Sequence, residues 1–275
     1  MRSRLVNILF IGLSIGSEAI YVHEGKANVL LLFILVVFAT LCIAFGGYLD
    51  NDRYDHVIDR ANGKEGIIVN KNIIFAFYSI GTILGMLYGL FQFQGIWSKI
   101  LTHSLCFLLP AILLHFYAST LSRYKGIGNI IIAGLCCFSL ALPGLITSCT
   151  RKDYWIALTP FLLILFVSTY IREIAKDAED VKGDLAHGRT TLPVLLGNYF
   201  ATFFTMLNFL TLALVILGFG LYYKYTWIAI ALTSYLMVFN VLRKSFSWRK
   251  TQKAWKGFIA LGVLLRILFL HTDIL

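Results

Sequence analysis

Charged side chains are scarce in this chain of 275 residues, at 14% of the total, and acidic ones are scarcer still, 14 against 24 Lys and Arg. Such a composition excludes an ordinary soluble domain, in which about a quarter of residues are charged. Only four prolines occur, so long segments run without a helix breaker. The five cysteines, Cys42, Cys106, Cys136, Cys137 and Cys149, are odd in number and lie within or at the ends of apolar runs, with no metal-ligand spacing. That argues against a metal-ligand set, and small buried residues are the better reading of the thiols. Polar stretches long enough for a soluble domain are also missing.

What the chain has instead is apolar length. It is 59% hydrophobic with a mean hydropathy of +0.79. Runs able to cross a bilayer, about 17–25 residues each, recur from end to end. Nine are expected, near 5–22, 27–49, 72–93, 99–118, 128–149, 154–173, 199–222, 225–242 and 256–274. The expected fold is all-α, a multi-span transmembrane helical bundle of about nine helices, with residues 1–275 forming one integral-membrane domain. The first run follows Arg2 and Arg4 but lacks a small-residue cleavage site before Tyr21, so it reads as a retained helix and not as a signal peptide.

The net charge of +10 raises nucleic acid as a partner, and its distribution argues against that. With nine spans the loops alternate sides, and the basic residues divide eighteen against five, with Arg266 inside the last span. The rich side is expected to be cytoplasmic, with the N-terminus in and the C-terminus out. The run from Arg243 to Lys256, with Trp248 and Trp255, reads as an interfacial anchor facing anionic lipid.

Ten of the 14 acidic residues fall in two short stretches. The first is Asp50-Asn51-Asp52-Arg53-Tyr54-Asp55-His56-Val57-Ile58-Asp59, with Glu65 just after it. The second runs from Glu173 to Asp184. In each, three aspartates sit at i, i+3 and i+7: Asp52, Asp55, Asp59, and Asp177, Asp180, Asp184. On a helix this spacing puts all three carboxylates on one face. Both stretches directly follow a span and fall on the basic, cytoplasmic side. Two such faces brought together would make a pocket of oxygen ligands. Carboxylates without a His/Cys set suit Mg²⁺, which is held by few carboxylates plus the phosphates of a substrate. Chemistry on a diphosphate is the expectation.

The two motifs carry a family resemblance. Asn51-Asp52-x-x-Asp55-x-x-x-Asp59 resembles the first aspartate-rich motif of the UbiA superfamily of intramembrane prenyltransferases. Arg172-Glu173-x-x-Lys176-Asp177-x-x-Asp180-x-x-Gly183-Asp184, followed by Gly188-Arg189-Thr190-Thr191-Leu192-Pro193, resembles the second. In form it is most similar to the branch of digeranylgeranylglyceryl phosphate synthases and chlorophyll- or homogentisate-type transferases. Smaller matches are Arg4-x-x-Asn7, Tyr117, Arg123 and Gly128-Asn129. Two features depart from the pattern. Relatives often carry Arg-Pro a few residues beyond the first motif, where this chain has Asn62-Gly63-Lys64-Glu65-Gly66, and often a Lys where it has Ser122.

The resemblance implies a prenyl diphosphate whose prenyl group passes to a membrane-associated acceptor, a lipid or a quinone precursor. It implies two Mg²⁺ ions on Asp52, Asp55, Asp59, Asp177, Asp180 and Asp184, neutralising the departing diphosphate. Asn51, Tyr117, Arg123, Arg172 and Lys176 are then expected to bind substrate. A cation-coupled transporter is the competing reading of acidic clusters in a membrane. Its ion sites would sit near the midplane on broken helices, whereas these carboxylates sit at span ends. Asp50 and Glu179 point off the triplet faces and are expected to be solvated. Asn51 could alternatively cap a helix, and Glu173 could pair with Arg172. His103 and His115 read as hydrogen-bonded helix residues. Glu18 and Arg266, ionisable within spans, read as functional or as structurally partnered, with snorkelling open to Arg266.

Overall fold

A computed structural model of the chain describes residues 2–22, 27–124, 126–222 and 247–271. Within them the long elements are α1 (Arg2–Val22), α2 (Ala27–Ala61), α3 (Lys71–Gln92), α4 (Trp97–Ser119), α5 (Ile127–Ile146), α6 (Lys152–Ala186), α8 (Phe200–Tyr222) and α9 (Trp248–His271), with a short α7 (Leu192–Leu196). Seven of the described helical segments are long and apolar enough to cross a membrane. Helices are the form that satisfies every backbone donor and acceptor within one apolar segment. Large apolar side chains such as Leu9, Phe75, Ile83, Leu101 and Phe209 are exposed on them, as lipid-facing positions require. The chain is an integral membrane protein. The eighth expected run, 225–242, lies outside the described residues.

Proline is confined to places where helices accept it. Pro110, Pro143 and Pro160 lie inside α4, α5 and α6, and Pro193 opens α7, where its missing N–H costs nothing. The five cysteines are free and half-buried.

The chain divides into two compact units. The first comprises Met1–Leu121 with Phe138–Thr150, the second Ser122–Cys137 with Arg151–Leu275. In the first unit α2 packs against α1, α3 and α4. Its core holds Ile15, Phe33, Val36, Ile43, Tyr88 and Phe107, all almost fully buried. Small residues let these helices approach closely: a methyl group built on Gly81 would lie 2.7 Å from the carbonyl oxygen of Ala39. His103 is buried, with Nδ1 2.6 Å from the Lys99 carbonyl oxygen and Nε2 on that of Ile146, so it is a structural helix residue. Glu18 is fully buried on α1.

In the second unit α6 is the central helix, packed by α7, α8 and α9. Ile171, Ile174, Ala175, Phe200, Phe204 and Trp255 form its main core. Trp255 is 1% exposed, and the ring of Trp248 lies 5.1 Å from those of Phe200 and Phe204. This corrects the expectation of an interfacial anchor for these two residues: Trp255 fills the unit's interior, and the half-buried Trp248 packs against it. The positions 243–246 of that run lie outside the described residues. Arg266 is also buried, its guanidinium 5.1 Å from the Phe161 ring centre, so it does not snorkel to a surface.

Candidate functional site

Both acidic stretches are helix, and continuously so. α2 and α6 are each 35 residues long and run through their aspartate triplets without a break. Asp177 follows Asp52 by 125 residues, as Asp180 follows Asp55 and Asp184 follows Asp59. The two helices also end alike. Gly63 and Gly188, each four residues past the third aspartate, have φ of 72° and 65°. The amide of Lys64 donates to the Asp59 carbonyl at 2.7 Å, and that of Gly63 to Arg60 at 3.0 Å. At the other end the amide of Arg189 donates to the Asp184 carbonyl at 2.9 Å, and that of Gly188 to Leu185 at 3.2 Å. Each is a Schellman termination built on the third aspartate of its triplet. The glycine at this offset is a signal that the triplet spacing alone leaves unread.

In the first unit α1 supplies partners to the first triplet. Arg4 pairs directly with Asp52, donates to the Tyr48 carbonyl at 3.4 Å and lies over the Tyr48 ring. Asn7, one turn on, donates to the Tyr48 hydroxyl at 2.9 Å. Arg4-x-x-Asn7 is thus a two-point hold on α2. Asp52 and Asp55 are buried and Asp59 is half-buried. Burying carboxylates together is costly unless cations or donors face them. The guanidinium does this for Asp52, and the Asn51 side-chain amide donates to Asp55 at 2.7 Å. Asn51 lies inside α2, so it is no helix cap. Tyr117 is buried near the end of α4.

Asp50 is not solvated, contrary to expectation. It is fully buried, and its Oδ2 accepts from His115 Nδ1 at 2.7 Å and from the Tyr78 hydroxyl at 3.4 Å. His115 is thereby a partnered helix residue.

The second unit treats its triplet in the same way. Asn129 on α5, 4% exposed, donates to Asp177 Oδ2 at 2.7 Å. Asp184 is buried; Thr191 donates to its Oδ2 at 3.0 Å, and Arg189 lies 3.7 Å from Oδ1. Asp180 and Lys176 are half-buried. Arg172 pairs with its neighbour Glu173, the structural alternative for that carboxylate. Glu179 is half-buried and faces the exposed Arg249 at 3.5 Å. Arg123 is exposed, while its carbonyl accepts from the Thr190 amide at 3.0 Å, which ties this segment to the turn beyond α6. Thr191 and Arg189 were legible only as parts of the Thr-Leu-Pro tail; their partner Asp184 is a matter of the folded turn.

Among the described residues no three His, Cys, Asp or Glu side chains gather into a metal cage. The donor chemistry nonetheless fits Mg²⁺: the triplets are all-oxygen, and Mg²⁺ needs only one or two carboxylates beside water and substrate phosphate. Amide and guanidinium groups already stand against the buried carboxylates.

Known proteins resemble this chain in sequence and in fold. The profile of the UbiA prenyltransferase family matches residues 9–268. Digeranylgeranylglyceryl phosphate synthase of Methanococcus maripaludis strain C7 is 32% identical over 269 residues, covering 95% of this chain and 90% of that protein. The synthase of that name from Sulfurisphaera tokodaii is 26% identical over 275 residues, covering 95% and 93%. A solved structure from work on digeranylgeranylglyceryl phosphate synthase in membranes shares the fold, with a TM-score of 0.64 at 24% identity over 97% of this chain and 99% of that one.

Proposed function

The chain belongs to the UbiA prenyltransferase family, and on that premise we propose that it carries a prenyl group from a prenyl diphosphate to the hydroxyl of a prenylated glycerol phosphate lipid. The carbon–oxygen bond to diphosphate breaks with both electrons leaving on the diphosphate. The acceptor oxygen bonds to the freed allylic carbon and loses its proton. The acceptor class rests on the names of the relatives above, and a quinone precursor is the alternative acceptor.

The observation that carries the reading is the pair of acidic helix ends, alike in length, triplet and glycine termination, each with an amide or guanidinium against its carboxylates. Asp52, Asp55, Asp59, Asp177, Asp180 and Asp184 would hold Mg²⁺, two ions by the number of triplets. Bound metal supplies neutralisation of the charge that develops on the leaving diphosphate. The chain's own cations do the remaining electrostatic work. Arg123 is exposed and Lys176 half-buried, so both can turn to phosphate oxygens, and Arg172 can do so by leaving Glu173. Tyr117 offers a hydroxyl and Asn51 an amide. The chemistry takes place on the cytoplasmic side, with the N-terminus in and the C-terminus out.

The test is direct. Purified protein is offered a series of radiolabelled prenyl diphosphates against a panel of acceptors. Acceptor-dependent formation of a prenyl ether of the glycerol phosphate is expected. Prenylation of an aromatic quinone precursor alone would move the acceptor assignment, and no acceptor-dependent diphosphate release at all would overturn the reading.

A further inference from the structure

The first acidic stretch holds four aspartates, and only three share a face. At about 100° per residue, Asp50 lies roughly 140–180° around α2 from Asp52, Asp55 and Asp59. It points into the packing of α2 against α3 and α4. There it is fully buried, with Oδ2 receiving Tyr78 of α3 and His115 of α4. Its Oδ1 is buried with no side-chain or backbone partner, so its hydrogen bonds all pass through Oδ2. A carboxylate is an expensive group to bury, and one placed here without a purpose would be selected against by its own desolvation.

A second observation marks the same level of α2. One turn before Asp50, Gly46 and Gly47 bring the same two helices in. A methyl group built on Gly46 would lie 3.1 Å from the Tyr78 ring, and one on Gly47 would lie 3.0 Å from Leu114, the neighbour of His115. One turn after Asp50, the ring of Tyr54 stands edge-on to His115, with centroids 6.3 Å apart. Two successive turns of α2 are therefore fitted to Tyr78 on one side and Leu114–His115 on the other, and the next turn meets His115. The fit is tight just where α2 passes from apolar to acidic.

The geometry points to Asp50, His115 and Tyr78 as a positioning clamp that fixes the rotation of α2 about its axis and so aims Asp52, Asp55 and Asp59 away from α3 and α4, as a metal-binding face. Helix rotation matters here because apolar packing alone is weakly directional in a membrane, where lipid is as apolar as Leu. A hydrogen-bonded carboxylate is directional. The clamp residues touch neither metal nor substrate. This inference rests on the metal-binding reading of the first triplet proposed above.

The experiment uses the full-length protein in detergent and reads Mn²⁺ binding by the spin-resonance signal of the free ion, without substrate. Asp50→Leu and His115→Leu are each expected to weaken Mn²⁺ binding at least fivefold, and the double substitution no further than the stronger single one, as for parts of one unit. Asp50→Asn keeps an oxygen that accepts from Tyr78 and His115 and should stay within twofold of the parent. In turnover, the Mg²⁺ concentration for half-maximal rate should rise in the two Leu variants, with the KM for prenyl diphosphate unchanged at saturating Mg²⁺. Should Asp50→Leu fail to accumulate, His115→Leu decides, since the half-exposed imidazole fills no core volume. Loss of Mn²⁺ in both Asp50 variants with His115→Leu unchanged would make Asp50 a ligand and overturn the clamp. Parent-like Mn²⁺ binding in both Leu variants would overturn it as well. Asp55→Ala, run alongside, should lose Mn²⁺; if it binds normally, the metal assignment of the triplet fails, and the clamp with it.

Discussion

A carboxylate that is largely buried beside another carboxylate stays in place only where a cation or a donor meets it. Asp52 has Arg4, Asp55 has Asn51, Asp177 has Asn129, and Asp184 has Thr191 and Arg189. The central aspartates are the ones whose loss should silence the enzyme with least damage to the fold. Asp55→Ala and Asp180→Ala are each expected to abolish turnover while the protein elutes as a single species in detergent; near-normal activity in either would remove its triplet from the mechanism. Arg123 and Lys176 are proposed to bind the diphosphate. Substituting either by Ala should raise the KM for prenyl diphosphate about tenfold, as expected for a lost charge-assisted contact of about 1.5–3 kcal/mol, with the acceptor KM little changed. Steady-state series varying one substrate at a time separate the two. At this scale the triplets were legible, because a spacing repeated twice in an acid-poor chain carries information. Asp50 was not. Sequence shows that it lies off the triplet face, and only the packing of Tyr78 and His115 shows what that other face meets.

The helices were legible where they are apolar. The expected runs near 5–22, 72–93, 99–118 and 199–222 correspond to α1, α3, α4 and α8 within a few residues. Apolar length says nothing of how far a helix continues once its side chains turn polar, so in sequence the acidic stretches only follow a span, whereas α2 and α6 carry them as full helix to Ala61 and Ala186. The stop is set by chemistry of another kind, the left-handed glycine. At Gly63 and Gly188 an Ala would pay the steric cost of positive φ, about 1–2 kcal/mol. Gly63→Ala and Gly188→Ala should each lower thermal stability by that order, and Gly188→Asn by less, since Asn tolerates this conformation. Thermal unfolding of the purified variants checks it; equal midpoints for Gly188→Ala and the parent would show that the termination is not held as described. Trp248 and Trp255 show the opposite limit. Tryptophan beside a basic run is a membrane-interface signal by composition, yet α9 turns both indoles onto α6 and α8.

For the molecule as a whole, composition decided membrane residence before any motif was read, and the family assignment agrees with it. Sidedness is a proposal, argued from the division of basic residues across the loops. In a cysteine-free background, single cysteines at positions 62 and 150 should label from opposite sides of sealed vesicles, with 62 cytoplasmic. Labelling from one side would refute the nine-span alternation. The prenyl chain length and the acceptor were beyond the sequence for a physical reason: they depend on the depth and lining of the substrate space, which no local spacing encodes. The central claim is that the two aspartate triplets make this chain a Mg²⁺-dependent prenyltransferase. Its most direct test is acceptor-dependent release of diphosphate from a prenyl diphosphate by the purified protein, in excess EDTA and after Mg²⁺ is restored. The account predicts no turnover in EDTA and full recovery with Mg²⁺; undiminished turnover in EDTA would contradict it.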